Sequence, residues 1–138
     1  LAGEKTPMNR TLLPPGWNKP KGYANGIAAH GTQIFIAGQI GWTAEERFET
    51  DDFAGQTRQA LQNIVAVLKE AGGRPEHVVR LTWYVTDKHE YLGALARVGA
   101  AYREVMGRHY PAMTLVEVRA LVEDRAKVEI EATAVLPG

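Results

Sequence analysis

Three carboxylates near the C-terminus, Glu117, Glu129 and Glu131, sit at alternate positions of two segments, Pro111–Val118 and Lys127–Ala132, that are otherwise largely apolar. Strict alternation reads as a strand with two unlike faces. On the first segment Thr114, Val116 and Val118 share one side, and Met113, Leu115, Glu117 and Arg119 the other. On the second, Val128, Ile130, Ala132 and Ala134 oppose Lys127, Glu129, Glu131 and Thr133. A face carrying carboxylates must stay wet or pair its charges at an interface, because lone buried charge is very costly. A carboxylate such as Glu129 could hold or deprotonate a water as a general base. It could equally pair with Arg119, Lys127 or a base of a neighbouring subunit. Glu117 and Glu131 read as structural.

Other residues offer less chemistry. Tyr23 could hydrogen-bond a ligand through its hydroxyl or simply pack with its tip in water. Gly38 either lets a ligand approach the backbone or relieves a bulge. His30, His77, His89 and His109 show no metal-ligand spacing, so no metal site is expected. No nucleophile elbow, Walker loop or dinucleotide fingerprint is present, and no cofactor is expected.

The elements that must position these groups follow from periodicity. Tyr23–Ala29 and Gln33–Ile40 read as strands, joined by a turn in which Gly31 can take positive φ. A helix starts at Asp51 or Asp52, buries Phe53, Thr57, Ala60, Leu61, Ile64, Val65 and Leu68, and stops at Gly72-Gly73. Val78–Val85 is a strand. A second helix opens at Asp87 with Glu90 as a capping box, carries the stripe Tyr91, Leu95, Val98, Tyr102 and Val105, and stops at Gly107. The two C-terminal strands are expected to form a hairpin through Val122–Arg125. The order β-β-α-β-α-β-β predicts an α+β domain, a mixed sheet with two helices on one face. The helices should cover the Val116, Val118, Ile130 and Ala132 side. The uncovered face, with Met113, Leu115 and Leu121, should then meet other copies of the chain.

Composition narrows the class. The chain has 138 residues, 45% hydrophobic, which fits one globular domain. Residues 1–12 read as a leader or tag remnant and 13–138 as a single domain. Sixteen basic and sixteen acidic residues cancel, which argues against nucleic acid as a partner. Without cysteine there are no disulfides or thiolate chemistry. No apolar run approaches a membrane span, so no membrane partner and a cytoplasmic location are expected.

The motif Pro111-Ala112 with Val116-Glu117-Val118, followed by Val128-Glu129-Ile130-Glu131-Ala132, resembles the C-terminal signature of the Rid family, also called YjgF or endoribonuclease L-PSP. Ala37-Gly38-Gln39-Ile40, the run Gln56–Asn63 and Ala71-Gly72-Gly73 extend the resemblance from about Tyr23 to Leu136. It implies a chorismate-mutase-like fold and a homotrimer with a barrel-like core, its small-molecule clefts lying between subunits. It further implies hydrolysis of imines, the tautomers of enamines, to a carbonyl compound and ammonia.

By position, Glu129 matches the glutamate that places the water, and Tyr23 and Gly38 match residues that complete the cleft. Met113 stands where active members carry a carboxylate-binding arginine. Gly99 stands at a frequent asparagine and Leu115 at a frequent cysteine. Trp42 follows Gly41 where relatives commonly read Gly-Gln-Ile-Pro, and either lines a larger aromatic cleft or covers the core. Losing a charged hydrogen-bond partner costs about 1.5–3 kcal/mol, so reduced or altered specificity is expected, with a neutral, amide-like or aromatic ligand favoured. Arg119 shares the parity of Met113 but lies about 20 Å along the strand, too far to replace the cation. A non-catalytic binding or sensing trimer is the alternative reading, and an endoribonuclease or translation inhibitor a weaker one.

Overall fold

The computed structural model describes residues 9–138. A short antiparallel pair, β1 (Arg10–Leu12) and β2 (Gly26–Ala28), precedes a four-stranded sheet. The sheet contains β3 (Thr32–Ile40), β4 (Val78–Val85), β5 (Ala112–Glu117) and β6 (Val128–Leu136) in the order β3-β6-β4-β5. Only β4 and β5 run parallel. Helices α1 (Phe53–Glu70), α2 (Lys88–Leu92) and α3 (Leu95–Met106) complete the α+β domain. Arg10–Leu12, expected in a leader, is therefore paired strand; residues 1–8 of that leader lie outside the described residues.

α1 forms where its caps predict. Asp52 accepts from the Gly55 amide at 2.9 Å, and Gly72 turns the chain out at φ 79°. Its buried face presents Leu61, Ile64 and Leu68 to the sheet. Gln56, fully buried on the same helix, donates to the carbonyls of Thr50 and Arg125 and accepts from the Lys127 amide. That side chain ties the segment before β6 to α1, a role no periodicity reveals.

Three expectations need correction. The second helix breaks at Gly93 and Ala94, where Ala94 takes φ −120° and ψ 18°; glycine's poor helix propensity makes this break cheap. The C-terminal strands are not a hairpin, because β4 lies between them. β5 enters after α3, and the βαβ crossover lays it parallel to β4. The segment before β6 must then pass over to the far side of β4.

The third correction concerns which way β5 faces. Leu81, Trp83 and Val85 are buried under the helices, and β5 pairs with them at Met113, Leu115 and Glu117. Met113 and Leu115 thus pack against the core, while Thr114 and Val116 lie on the open face. β6 has the expected phase, with Val128, Ile130, Ala132 and Ala134 inward. On β5 both residue sets contain apolar side chains, so alternation defines two faces without saying which is buried.

Candidate functional site

The helix side of the sheet holds a cleft of about 560 Å³. Trp83 of β4 with Met113 and Leu115 of β5 form its floor; Tyr91 of α2 and Leu95, Val98, Gly99, Tyr102 and Arg103 of α3 form its wall. Tyr110 and the Lys21–Tyr23 segment close the rim. Tyr23 reaches it because the Ala24 amide donates to the Pro111 carbonyl at 2.9 Å, stitching this segment alongside β5. Tyr102 and Tyr110 stack at 5.5 Å, and the Tyr102 hydroxyl donates to the His109 carbonyl. Burial pushes the Tyr102 phenol well up, so it stays protonated. The lining contains two cations, Lys21 and Arg103, and no carboxylate. Trp83 Nε1 is buried without a hydrogen-bond partner, a state that costs about 1–3 kcal/mol and calls for an acceptor.

The open face of the sheet has the opposite character. Glu129 of β6 lies across from Tyr84 on one side and Ile40 on the other. Its carboxylate rests over Gly38, where a Cβ would stand 2.0 Å from Oε2. The register of β3 against β6 shifts between Ile36 and Gln39, so Gly38 occupies an irregular stretch that brings backbone up to the carboxylate. Among the described residues Glu129 has no hydrogen bond and no ion pair. Lys127 pairs with Glu90 at 2.7 Å instead, and Arg119 does not reach it. Its neighbour Glu131 accepts from the Tyr84 hydroxyl at 2.5 Å, while Glu117, on the helix side of β5, accepts from the Lys88 amide at 2.9 Å. The Glu131 hydrogen bond, with burial adding, raises the Tyr84 phenol above its ordinary value.

The candidate residues therefore separate. Tyr23, Gly99, Met113 and Leu115 line the helix-side cleft. Gly38 and Glu129 meet on the open face. Trp42 is in neither place: it packs on Phe48 at 5.9 Å beside Arg125 and Val122. A cleft shared by Met113 and Glu129 does not form within one chain, since β5 turns Met113 toward the helices. Trp83, Tyr110, Arg103 and Lys21 were not among the expected site residues. Tyr91 and Tyr102 were visible only as members of an apolar stripe. Among the described residues no group of three His, Asp or Glu could hold a metal, and no helix is long and apolar enough to cross a membrane.

Known proteins share this architecture. The family model described as Endoribonuclease L-PSP matches residues 18–136. A RutC family protein of Pyrococcus horikoshii is 38% identical over 129 residues, covering 92% of this chain and 98% of its own. A protein of Salmonella typhimurium named 2-iminobutanoate/2-iminopropanoate deaminase is 33% identical over 116 residues, covering 82% of this chain and 86% of its own. The crystal structure of a Rid family protein from Yersinia pestis superposes with a TM-score of 0.82 at 31% identity, covering 93% of this chain and 98% of its own. With the sequence motifs, the family match and the superposition agreeing, the chain belongs to the Rid family.

Proposed function

We propose that this protein hydrolyses a small imine, the tautomer of an enamine, to a carbonyl compound and ammonia, at clefts between the subunits of a homotrimer. The observation that carries the reading is Glu129: a half-buried carboxylate with no partner of its own, held over the backbone of Gly38. Such a group is available to take a proton from water. Water adds to the imine carbon while Glu129 accepts its proton, giving a carbinolamine. Glu129 returns the proton to nitrogen, the C–N bond breaks with its electron pair leaving on ammonia, and the carbinolamine hydroxyl passes its proton to Glu129 as the carbonyl forms. The relatives named as 2-iminobutanoate/2-iminopropanoate deaminases support this reaction class.

The separation of the candidate residues supports an assembly of more than one copy. Glu129 and Gly38 lie on one face of the sheet, Met113 and Leu115 on the other, so a site containing all four draws on two copies. The open face suits contact with another copy, since it carries Phe35, 73% exposed, with Val116 and Tyr84. Met113 supports the second reading, a non-catalytic ligand-binding trimer, because it offers a substrate carboxylate nothing.

Kinetics decide between them. On a panel of 2-imino acids generated in situ, from 2-iminopropionate to those with bulky side chains, the small members should turn over weakly. For the best substrate, Glu129→Gln should lower kcat by about 10²–10⁴-fold with the melting temperature unchanged. No turnover above spontaneous hydrolysis in the native protein leaves the binding reading standing. Turnover that survives Glu129→Gln sinks the mechanism.

A further inference from the structure

We propose that Arg103 is the anion anchor of the helix-side cleft and that the cleft selects aromatic carboxylates. This inference takes the cleft assigned above as the ligand site and names what it holds.

Arg103 is an exposed cation whose side chain folds back along α3 over Gly99, one helical turn earlier. A Cβ built at Gly99 would stand 3.2 Å from Arg103 Nη1, tighter than ordinary contact. The absence of a side chain at position 99 is what lets the guanidinium lie there. Its helical neighbours at three and four positions are Gly99, Ala100, Met106 and Gly107, none able to pair with it. Among the described residues it has no ion pair, whereas Arg58, Arg97 and Arg125 are all engaged. A cation in the last turn also favours the helix dipole, which is the purely structural account of this residue.

The rest of the cleft says what the cation is for. Lys21 adds a second positive charge and no lining residue is acidic, so the mouth attracts anions. Behind it, Tyr91, Tyr102, Tyr110 and Trp83 form flat apolar walls that fit a ring. An expectation of a neutral ligand, drawn from Met113, Leu115 and Gly99, leaves these two cations out. Moving the anchor from strand to helix also places the bound carboxylate at the rim, so the ligand must be long enough to reach the floor.

The test compares phenylacetate with phenylacetamide, equal in shape and different in charge, by titration calorimetry on the full chain. The native protein should bind phenylacetate at least about tenfold more tightly, as a charged hydrogen bond implies. Arg103→Ala should erase that preference and leave the amide's affinity unchanged. Arg103→Lys should keep part of it, since lysine supplies charge without the planar fork. Gly99→Asn should weaken it by displacing the guanidinium with its charge intact. A merely structural arginine would move the melting temperature and not the preference. Equal binding of both probes, binding of neither, or a preference that survives Arg103→Ala or depends on Lys21 alone overturns the proposal. No turnover is read, so the two readings fail separately. An inactive protein that still prefers phenylacetate through Arg103 loses the hydrolase reading only. An active one indifferent to charge loses the anchor only.

Discussion

The two faces of the sheet are chemical complements. The helix-covered face offers aromatic walls and two cations but no acid or base to act on a bound molecule. The open face offers Glu129, seated over Gly38 without a hydrogen-bond or ion-pair partner among the described residues, and Glu129 does not line the helix-side cleft. Each lacks what the other holds, and the strands that carry them share one sheet only a few ångströms thick. A side chain cannot reach through a sheet whose backbone bonds are satisfied. A site that holds both halves, as proposed above, draws on a second chain.

Complementation between inactive variants carries the largest expected effect. Glu129→Gln removes the base, and Gly99→Trp fills the cleft, so either homo-oligomer should be inactive. When both are co-expressed in equal amounts, a site built from two different chains regains both native halves in about a quarter of cases. Activity should return to roughly that fraction. If both halves came from the same chain, no mixture could restore anything, and the division of the site between copies would be wrong.

A smaller effect separates the faces one at a time. Gly38→Ala sets a methyl group 2.0 Å from Glu129 Oε2, so the carboxylate must leave its seat. Turnover should fall by about 10²-fold, while phenylacetate binding in the cleft should change by less than about twofold. Loss of binding with turnover intact would reverse the roles given to the two faces.

The faces also differ in how far the sequence exposes them. On β6, Val128, Ile130 and Ala132 against Glu129 and Glu131 leave no doubt about which side is inward. On β5, Met113 and Leu115 against Thr114 and Val116 do not, because both sets contain apolar side chains. The open-face pair could thus be read from spacing and resemblance. The cleft could not, since it gathers Lys21, Tyr91, Arg103 and Tyr110 from segments that meet only after the chain crosses over. Tyr91 and Tyr102 sit in a stripe that any packed helix would show. Arg103 becomes meaningful only when its place over Gly99 is known. The same limit hid the placement of β4 between the C-terminal strands, which depends on a crossover and not on local pattern.

The mildest expected effect lies at the support of the cleft wall. Asp52 caps α1 through the Gly55 amide and also pairs with Arg97 of α3, fixing the helix that carries Arg103. The Arg97 guanidinium first, and the Gly55 amide second, hold its carboxyl below the ordinary value of 3.8. A carboxyl depressed in the folded state stabilises the fold above its unfolded pKa, and that contribution is lost as pH falls through the folded one. Asp52→Ala should cost about 1 kcal/mol at neutral pH, chiefly the cap, or about 4 °C in melting temperature. The ion pair is largely exposed and screened, so it adds little. The gap between native and variant proteins should hold from neutrality to about pH 4 and close below it. Because Asp52 touches α1 and α3 and not the open face, phenylacetate binding should weaken with it more than the pH dependence of turnover changes. A gap that widened in acid would mean the carboxyl is not depressed, and the wall would owe its position to packing alone.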